Sequence, residues 1–312
     1  MTYDLIVVGG GPGGAAAGVY AARKRLKTLL ITDTFGGQST VSADIQNWIG
    51  IPSFSGYEMS EKLEEHLRKY AEDVLTLQVG ELVTKIEKVN SNFKVTTGTG
   101  NTFESRAIIL TSGSRRRKLT MPGAAEYEGK GIVYCATCDA PLFRGKEVVV
   151  IGGGNAGLES AEQLLEYATK IYILEFGAEF KGDPVTRERV FKNSKVVPIT
   201  NAETVTVRGD KFVTGLVYKD RHTDEQKELL VQGIFVEIGS VPNSEMVKGL
   251  VELDKHGEVI IDHKTARTSM EGIWAAGDVS DQPYKQNNIS MGDSVKALED
   301  AYMWLQAKKS KQ

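Results

Sequence analysis

The chain has 312 residues, a hydrophobic content of 41% and a net charge of −3 from 38 basic and 41 acidic side chains. At roughly 100–200 residues per domain, this length gives two domains with sizeable cores and excludes wholesale disorder. The near balance of charge excludes a global basic field for nucleic acid or for an anionic membrane surface.

In chain order, residues 3–8 are a β-branched run that breaks at Gly9, Gly10, Gly11, Pro12, Gly13 and Gly14, and an alanine-rich stretch with helical periodicity follows. The uncharged run 5–22 is 18 residues long, the formal threshold for a membrane span. Six glycines and Pro12 interrupt it and no Lys or Arg precedes it, so it reads as part of a soluble domain, with no membrane span and no targeting segment. A second strand over 28–33 ends at Asp33. Residues 58–74 read as an amphipathic helix with Met59, Leu63, Leu67 and Tyr70 on one side, and short strands follow over 93–97 and 107–110. Residues 111–123 hold turn residues and the basic run Arg115, Arg116, Arg117 and Lys118. They read as a linker, its charges either a solvated face or a dock for an acidic partner.

Beyond Cys135 and Cys138 the opening pattern returns. Residues 146–166 repeat 3–23 as strand, glycine turn and helix, and a strand over 171–175 ends at Glu175. A second linker covers 237–246, followed by a hairpin-like stretch at 258–261, a strand over 272–276 and a final helix from about 291 to 305. The fold class is therefore α/β, with two Rossmann-like dinucleotide-binding domains, one inserted into the other. Residues 1–112 and 246–312 form the outer domain and 115–243 the inserted one. Trp48, Trp274 and Trp304 read as packing residues, without the aromatic and basic interleaving of a nucleic-acid surface.

Gly9, Gly11 and Gly14 satisfy G-x-G-x-x-G between a strand and a helix. Glycine there permits the tight turn, close approach of a pyrophosphate and close packing of helix on strand, while the helix start offers free N–H groups and a positive dipole end. Asp33 stands 19 residues beyond Gly14, suited to ribose hydroxyls; the alternative is a structural turn without a ligand. The second copy, Gly152, Gly154 and Gly157, leads to Glu175, 18 residues on. A carboxylate at that strand tip accepts hydrogen bonds from a 2′-hydroxyl and repels a 2′-phosphate, which favours NADH over NADPH. The alternative is that Lys181, Arg187 or Arg189 folds back and clamps the phosphate.

Cys135 and Cys138 are the chain's two cysteines. A secreted disulfide scaffold needs more, so a reducing, cytoplasmic compartment is expected. A metal site needs two further ligands, and His66, His222, His256 and His263 are scattered. The redox reading stands best: thiols at this spacing close a small disulfide ring, and a thiolate of lowered pKa attacks a disulfide. Asp139 follows directly, placed either to exchange a proton with the leaving sulfur or to cap a helix.

Several separated motifs, GGGPGG (9–14), FGGQ (35–38), YCATCD (134–139), GGGNAG (152–157), GIWAAGDVSD (272–281) and YKQ (284–286), resemble the low-molecular-weight thioredoxin reductase family over nearly the whole chain. The resemblance implies FAD in the outer domain, a pyridine nucleotide in the inserted one, and a homodimer. Gly9, Gly11, Pro12, Gly13, Gly14 and Asp33 would hold the FAD pyrophosphate and ribose. Gly36, Gly37, Gln38 and Asn47 would line the flavin ring, and Gly113, Gly277 and Asp278 would contact the rest of the cofactor. Lys285 and Gln286 precede the last helix, whose positive end would favour the anionic reduced flavin. Gly152, Gly154, Asn155, Ala156, Gly157 and Glu175 would bind the nicotinamide cofactor. Cys138 would be the flavin-side sulfur and Cys135 the one that attacks the partner.

Some segments depart from that family. Glu175, Phe176 and Gly177 stand where NADPH-dependent members carry a His-Arg-Arg run, and this stretch is more similar to the flavoprotein subunit of alkyl hydroperoxide reductase, which uses NADH. That relative has an extra N-terminal thioredoxin-like domain. Because the first glycine turn here begins at residue 9, the domain is expected to be missing and a separate small disulfide protein to replace it. Ala140 replaces the usual glycine after the cysteine motif, and residues 287–294, NNISMGDS, replace a more apolar stretch bordering the flavin. The expected function is a flavoprotein disulfide reductase that moves electrons from NADH, in preference to NADPH, through FAD and the dithiol to a thioredoxin- or glutaredoxin-like protein or a peroxiredoxin system. The rivals are a flavin reductase or diaphorase, a reductase fed by another donor, and an FAD-binding redox sensor without turnover.

Overall fold

The computed structural model describes residues 2–42, 45, 47–71 and 73–309, apart from the side chains of Val41, Thr137, Cys138 and Lys309. The chain divides into two compact units, Met1–Arg115 with Val241–Gln312, and Arg116–Ser240. Both crossings fall inside the glycine- and charge-rich stretches read as linkers.

In the first unit the strand Thr2–Gly10 carries Leu5, Ile6, Val7 and Val8, all buried, as a strand covered on both faces requires. It lies between Thr28–Phe35 and Thr102–Leu110, parallel to both. Leu75–Val79 extends one side of the sheet in parallel. On the other side, Thr102–Leu110 serves two partners: Ile273–Ala275 pairs in parallel with its C-terminal half, and Asn92–Thr97 runs antiparallel to its start, backed by Val83–Val89. The helix Pro12–Arg23 is buried on almost every side and packs on the last helix, Asn287–Lys309.

Two helices differ in extent from the sequence reading. The helix expected over 58–74 spans Gly56–Arg68. It starts earlier because Ser55 Oγ accepts the Glu58 N–H at 3.1 Å while Glu58 accepts the Ser55 N–H at 2.7 Å. It ends early because Tyr70 and Ala71 donate to Leu67 and Arg68, three residues back, and tighten the chain out of α geometry. The last helix gains a first turn, starting at Asn287 rather than near 291, through polar residues that carry no apolar period. The stretch at 258–261 is hairpin-like as expected: Val259 bridges Leu253 in antiparallel fashion across a tight turn, Asp254 donates to the Glu258 carbonyl and Ile260 to that of Glu252, and Val259 also bridges Ser280 in parallel.

In the second unit, Val196–Ile199, Lys170–Leu174, Glu147–Ile151, Gly233–Val236 and Ile132–Val133 form a parallel sheet in that order. Strand periodicity assigns its two faces. Val148 and Val150 join Leu158, Ala161 and Leu164 of the helix Asn155–Leu164, while Val149 and Ile151 join Leu216 and Tyr218. The latter belong to an antiparallel sheet of Ala202–Gly209, Val213–Asp220 and Gln226–Leu229. The basic run at 115–118 is largely paired within each unit: Arg115 with Glu245, Arg116 with Glu237 and Lys118 with Glu128. Among the described residues no helix is long and apolar enough to cross a membrane.

Candidate functional site

The first unit holds a cleft of about 690 Å³ beside its glycine turn, a size suited to a cofactor. Gly9 has φ +112°, and a Cβ there would stand 2.3 Å from the Thr111 carbonyl oxygen. A Cβ on Gly14 would stand 1.8 Å from the Gly9 carbonyl oxygen, so only glycine lets the helix sit this close to the strand. Gly11 is the helix N-cap and no side chain caps it, leaving the first helical N–H groups to an anion in the cleft. This open, side-chain-free cradle fits a pyrophosphate.

Of the residues expected at FAD, Gly9, Gly11, Pro12, Gly13, Asp33, Gly36, Gly37, Gln38, Gly113 and Asp278 line the cleft. Gly14 lies behind the turn. Gly277, with φ +75°, supports the wall, since a Cβ there would meet Ser290 Oγ at 2.3 Å. Asn47, Lys285 and Gln286 are not among the lining residues: Asn47 Nδ2 donates to Gln286 Oε1 at 2.9 Å, and Lys285 Nζ lies 2.9 Å from Glu258 Oε1. Burial pushes the Asp278 carboxyl up, and Lys285 and a hydrogen bond from Ser114 pull it back. Ser114 also accepts from Gln38 Nε2 at 2.9 Å, linking Gln38 to Asp278.

The sequence reading missed Asn243, which also lines the cleft; Asn287 and Ser290, from the segment 287–294 that the resemblance put beside the flavin, line it too. Asn243 exchanges bonds with Ser112: its Nδ2 donates to the Ser112 carbonyl at 2.8 Å, and its own carbonyl accepts the Ser112 hydroxyl at 2.7 Å. An asparagine directly after Pro242 was its one signal.

The second unit repeats the device. Gly152 has φ +117° and its Cβ would stand 2.1 Å from the Glu237 carbonyl oxygen; a Cβ on Gly157 would stand 1.8 Å from that of Gly152. Gly154 is an uncapped helix N-cap, with Asn155 and Ala156 exposed in the first turn. Glu175 is tied into this turn: Oε2 accepts the Gly153 N–H at 2.9 Å and Oε1 the Gly177 N–H at 2.8 Å. The basic residues that were the alternative clamp are engaged elsewhere in part, Arg187 donating to the Phe180 carbonyl and Arg189 paired with Glu162, while Lys181 is exposed. Below the turn the Glu237 side chain is buried, its carboxyl pushed up by burial and held down by Ser160, at 2.7 Å, and Arg116, at 2.9 Å.

Cys135 is half-buried and disulfide-bonded, and it precedes the short helix Ala136–Asp139. The backbone of Cys138, the chain's other cysteine, lies in that helix, and its side chain falls outside the described residues. Ala136 and Ala140 anchor the motif in the core beside Phe143 and Leu158. Asp139 makes no side-chain cap on the following turn, Ala140–Phe143, and burial pushes its carboxyl up. Among the described residues no cluster of three or more His, Cys, Asp or Glu is arranged to hold a metal ion.

Comparison with known proteins adds three likenesses. The chain is 42% identical over 301 residues to an alkyl hydroperoxide reductase subunit of Pseudomonas aeruginosa, covering 96% of this chain and 58% of that protein. It is 41% identical over 303 residues to a Bacillus subtilis protein named NADH dehydrogenase, covering 97% of this chain and again 58% of the relative. The chain thus spans under two thirds of the length of these relatives. Among solved structures, Lactococcus lactis thioredoxin reductase matches with a TM-score of 0.87 at 33% identity, over 98% of this chain and 99% of that one. The family model described as pyridine nucleotide-disulphide oxidoreductase, which implies FAD and a nicotinamide cofactor, matches residues 3–296, and the chain belongs to that family.

Proposed function

We propose that the chain is a flavoprotein disulfide reductase that takes electrons from NADH and delivers them through FAD and Cys135–Cys138 to the disulfide of a thioredoxin-like protein. One observation carries this reading: a single chain combines two glycine turns of matching geometry with a disulfide-bonded cysteine of a C-x-x-C motif. Bound FAD supplies a two-electron relay between the nicotinamide and the disulfide. Gly9, Gly11 and Gly13 leave room and N–H groups for its pyrophosphate, and Asp33 accepts from ribose hydroxyls.

At the second turn Glu175 provides a negative charge where a 2′-phosphate would lie, and the engaged Arg187 and Arg189 do not offset it. The name of the Bacillus relative is consistent with NADH as donor. Once the Cys135–Cys138 bond is reduced, the Cys135 thiolate attacks the partner's disulfide, one partner sulfur leaves as a thiol, and Cys138 then displaces the other. Asp139, with its raised carboxyl affinity for protons, supplies a proton to the departing sulfur. The relatives named for alkyl hydroperoxide reductase support a second acceptor, a peroxiredoxin-type protein. We assign the protein to the cytoplasm as a homodimer, to be checked by light scattering.

Cys138→Ser tests the scheme. The variant is expected to keep NADH-dependent bleaching of the flavin and to lose reduction of thioredoxin disulfide. Retained thioredoxin reduction would sink the assignment.

A further inference from the structure

One wall of the first cleft comes from outside the glycine motifs. It is the first turn of the last helix, where Asn287 and Ser290 both line the cleft. Three residues apart on a helix, they share a face. Ser290 Oγ lies within 2.7 Å of the Cβ position of Gly13, which brings this wall against the first glycine turn itself.

Asn287 is held in place and has hydrogen-bonding capacity left over. Ser39 Oγ donates to its Oδ1 at 2.9 Å. Its Nδ2 faces the thioether of Met59 at 3.9 Å. A thioether is a weak acceptor and an amide nitrogen carries two hydrogens, so at least one N–H remains for a ligand in the cleft. The neighbourhood is braced: Asn288 Nδ2 donates to the Asn47 carbonyl at 2.7 Å and Asn47 Nδ2 to Gln286. Asn287 also opens a 23-residue helix with no acidic residue in its first turn, so nothing there cancels the positive end of the dipole.

We propose that Asn287, held by Ser39, is a positioning residue that raises the reduction potential of bound FAD. This rests on the reading that the cleft holds FAD, with the ring near Gln38, the residue before Ser39. Two electrons and one proton turn the oxidised ring into an anion, the electrons coming from NADH in the proposed reaction and from the titrant in the test. A fixed N–H donor beside a helix N-terminus favours that anion over the neutral oxidised ring. Leucine at 287 keeps the branching and the number of heavy atoms and removes the donor. Aspartate keeps the shape and adds a charge that opposes the anion.

The test is a potentiometric titration of the FAD-loaded full-length protein with xanthine oxidase and a reference dye, following the visible flavin band. Asn287→Leu is expected to lower the ratio of reduced to oxidised flavin about tenfold at a fixed ambient potential, which is about 30 mV for a two-electron couple. Asn287→Asp shifts it further the same way, and Ser39→Ala shifts it less. Should the leucine variant fail to hold FAD, the aspartate and Ser39→Ala proteins decide. Wild-type potentials in the FAD-loaded variants would overturn the inference. No NADH or protein disulfide enters the titration, so a wrong donor or acceptor would leave it intact, whereas a parent protein that binds no FAD would overturn it together with the function it rests on.

Discussion

Gly9 and Gly152 have nearly the same φ, +112° and +117°, and each turn packs its third glycine 1.8 Å, by Cβ position, from the carbonyl of its first. The acids at the neighbouring strand tips differ. Asp33 is exposed and lines the cleft, whereas Glu175 is half-buried with both oxygens on backbone N–H groups of its own turn. One turn thus leaves its acid free to face the cleft, while the other uses its acid to hold the loop and keeps negative charge at the turn. A shared backbone motif specifies the turn, and in the proposed function the strand-tip acid with its surroundings specifies which dinucleotide it takes.

The comparison breaks most severely at the third glycines. Gly14→Ala and Gly157→Ala each force a Cβ into a backbone carbonyl, a clash expected to exceed the ~1–3 kcal/mol of ordinary overpacking. Gly14→Ala is expected to purify colourless, and Gly157→Ala to stay yellow but resist reduction by NADH. Absorption spectra of the two proteins check this, and the reverse assignment would exchange the roles of the units.

Glu175→Ala sharpens the comparison. Loss of a charge-assisted hydrogen bond of about 1.5–3 kcal/mol is expected to cut the preference for NADH over NADPH roughly tenfold or more. Steady-state kinetics with both donors separates the causes. A changed ratio reports the charge, and an equal loss with both reports loosening of the turn at Gly153 and Gly177.

The smallest effect is expected beneath the second turn. Arg116→Met leaves the buried Glu237 carboxylate with Ser160 as its remaining side-chain partner and is expected to destabilise the protein by about 1–3 kcal/mol. Because burial already raises the Glu237 carboxyl, its ionised form disfavours folding. The deficit is therefore largest at neutral pH and shrinks as pH falls and the group takes a proton. Thermal unfolding at several pH values reads this out, and a deficit that grows on acidification would contradict it.

Much of this was legible in the sequence because the signals are local. The glycine spacings, the acids at fixed offsets and the C-x-x-C each lie within a few tens of residues, and the structure places the first turn's residues around one cleft. What was not legible depends on distant partners. Asn243 reaches the cleft by bonding Ser112, 131 residues away in sequence. Asn287 lies in a segment that the resemblance had put beside the flavin, but the bond from Ser39, 248 residues away, that holds it there, and the helical turn it opens, carried no signal. The backbone bonds of Glu175 were equally hidden, since the spacing that puts its carboxylate at the strand tip says nothing of the loop from Gly177 that folds back onto it.

The most direct measurement is an anaerobic titration of the FAD-loaded protein with NADH and, separately, with NADPH, following the visible flavin band. The account predicts full bleaching by stoichiometric NADH and weaker bleaching by NADPH. Preference for NADPH would contradict the role given to Glu175, and no bleaching by either would contradict the assignment of the second glycine turn as the point where electrons enter.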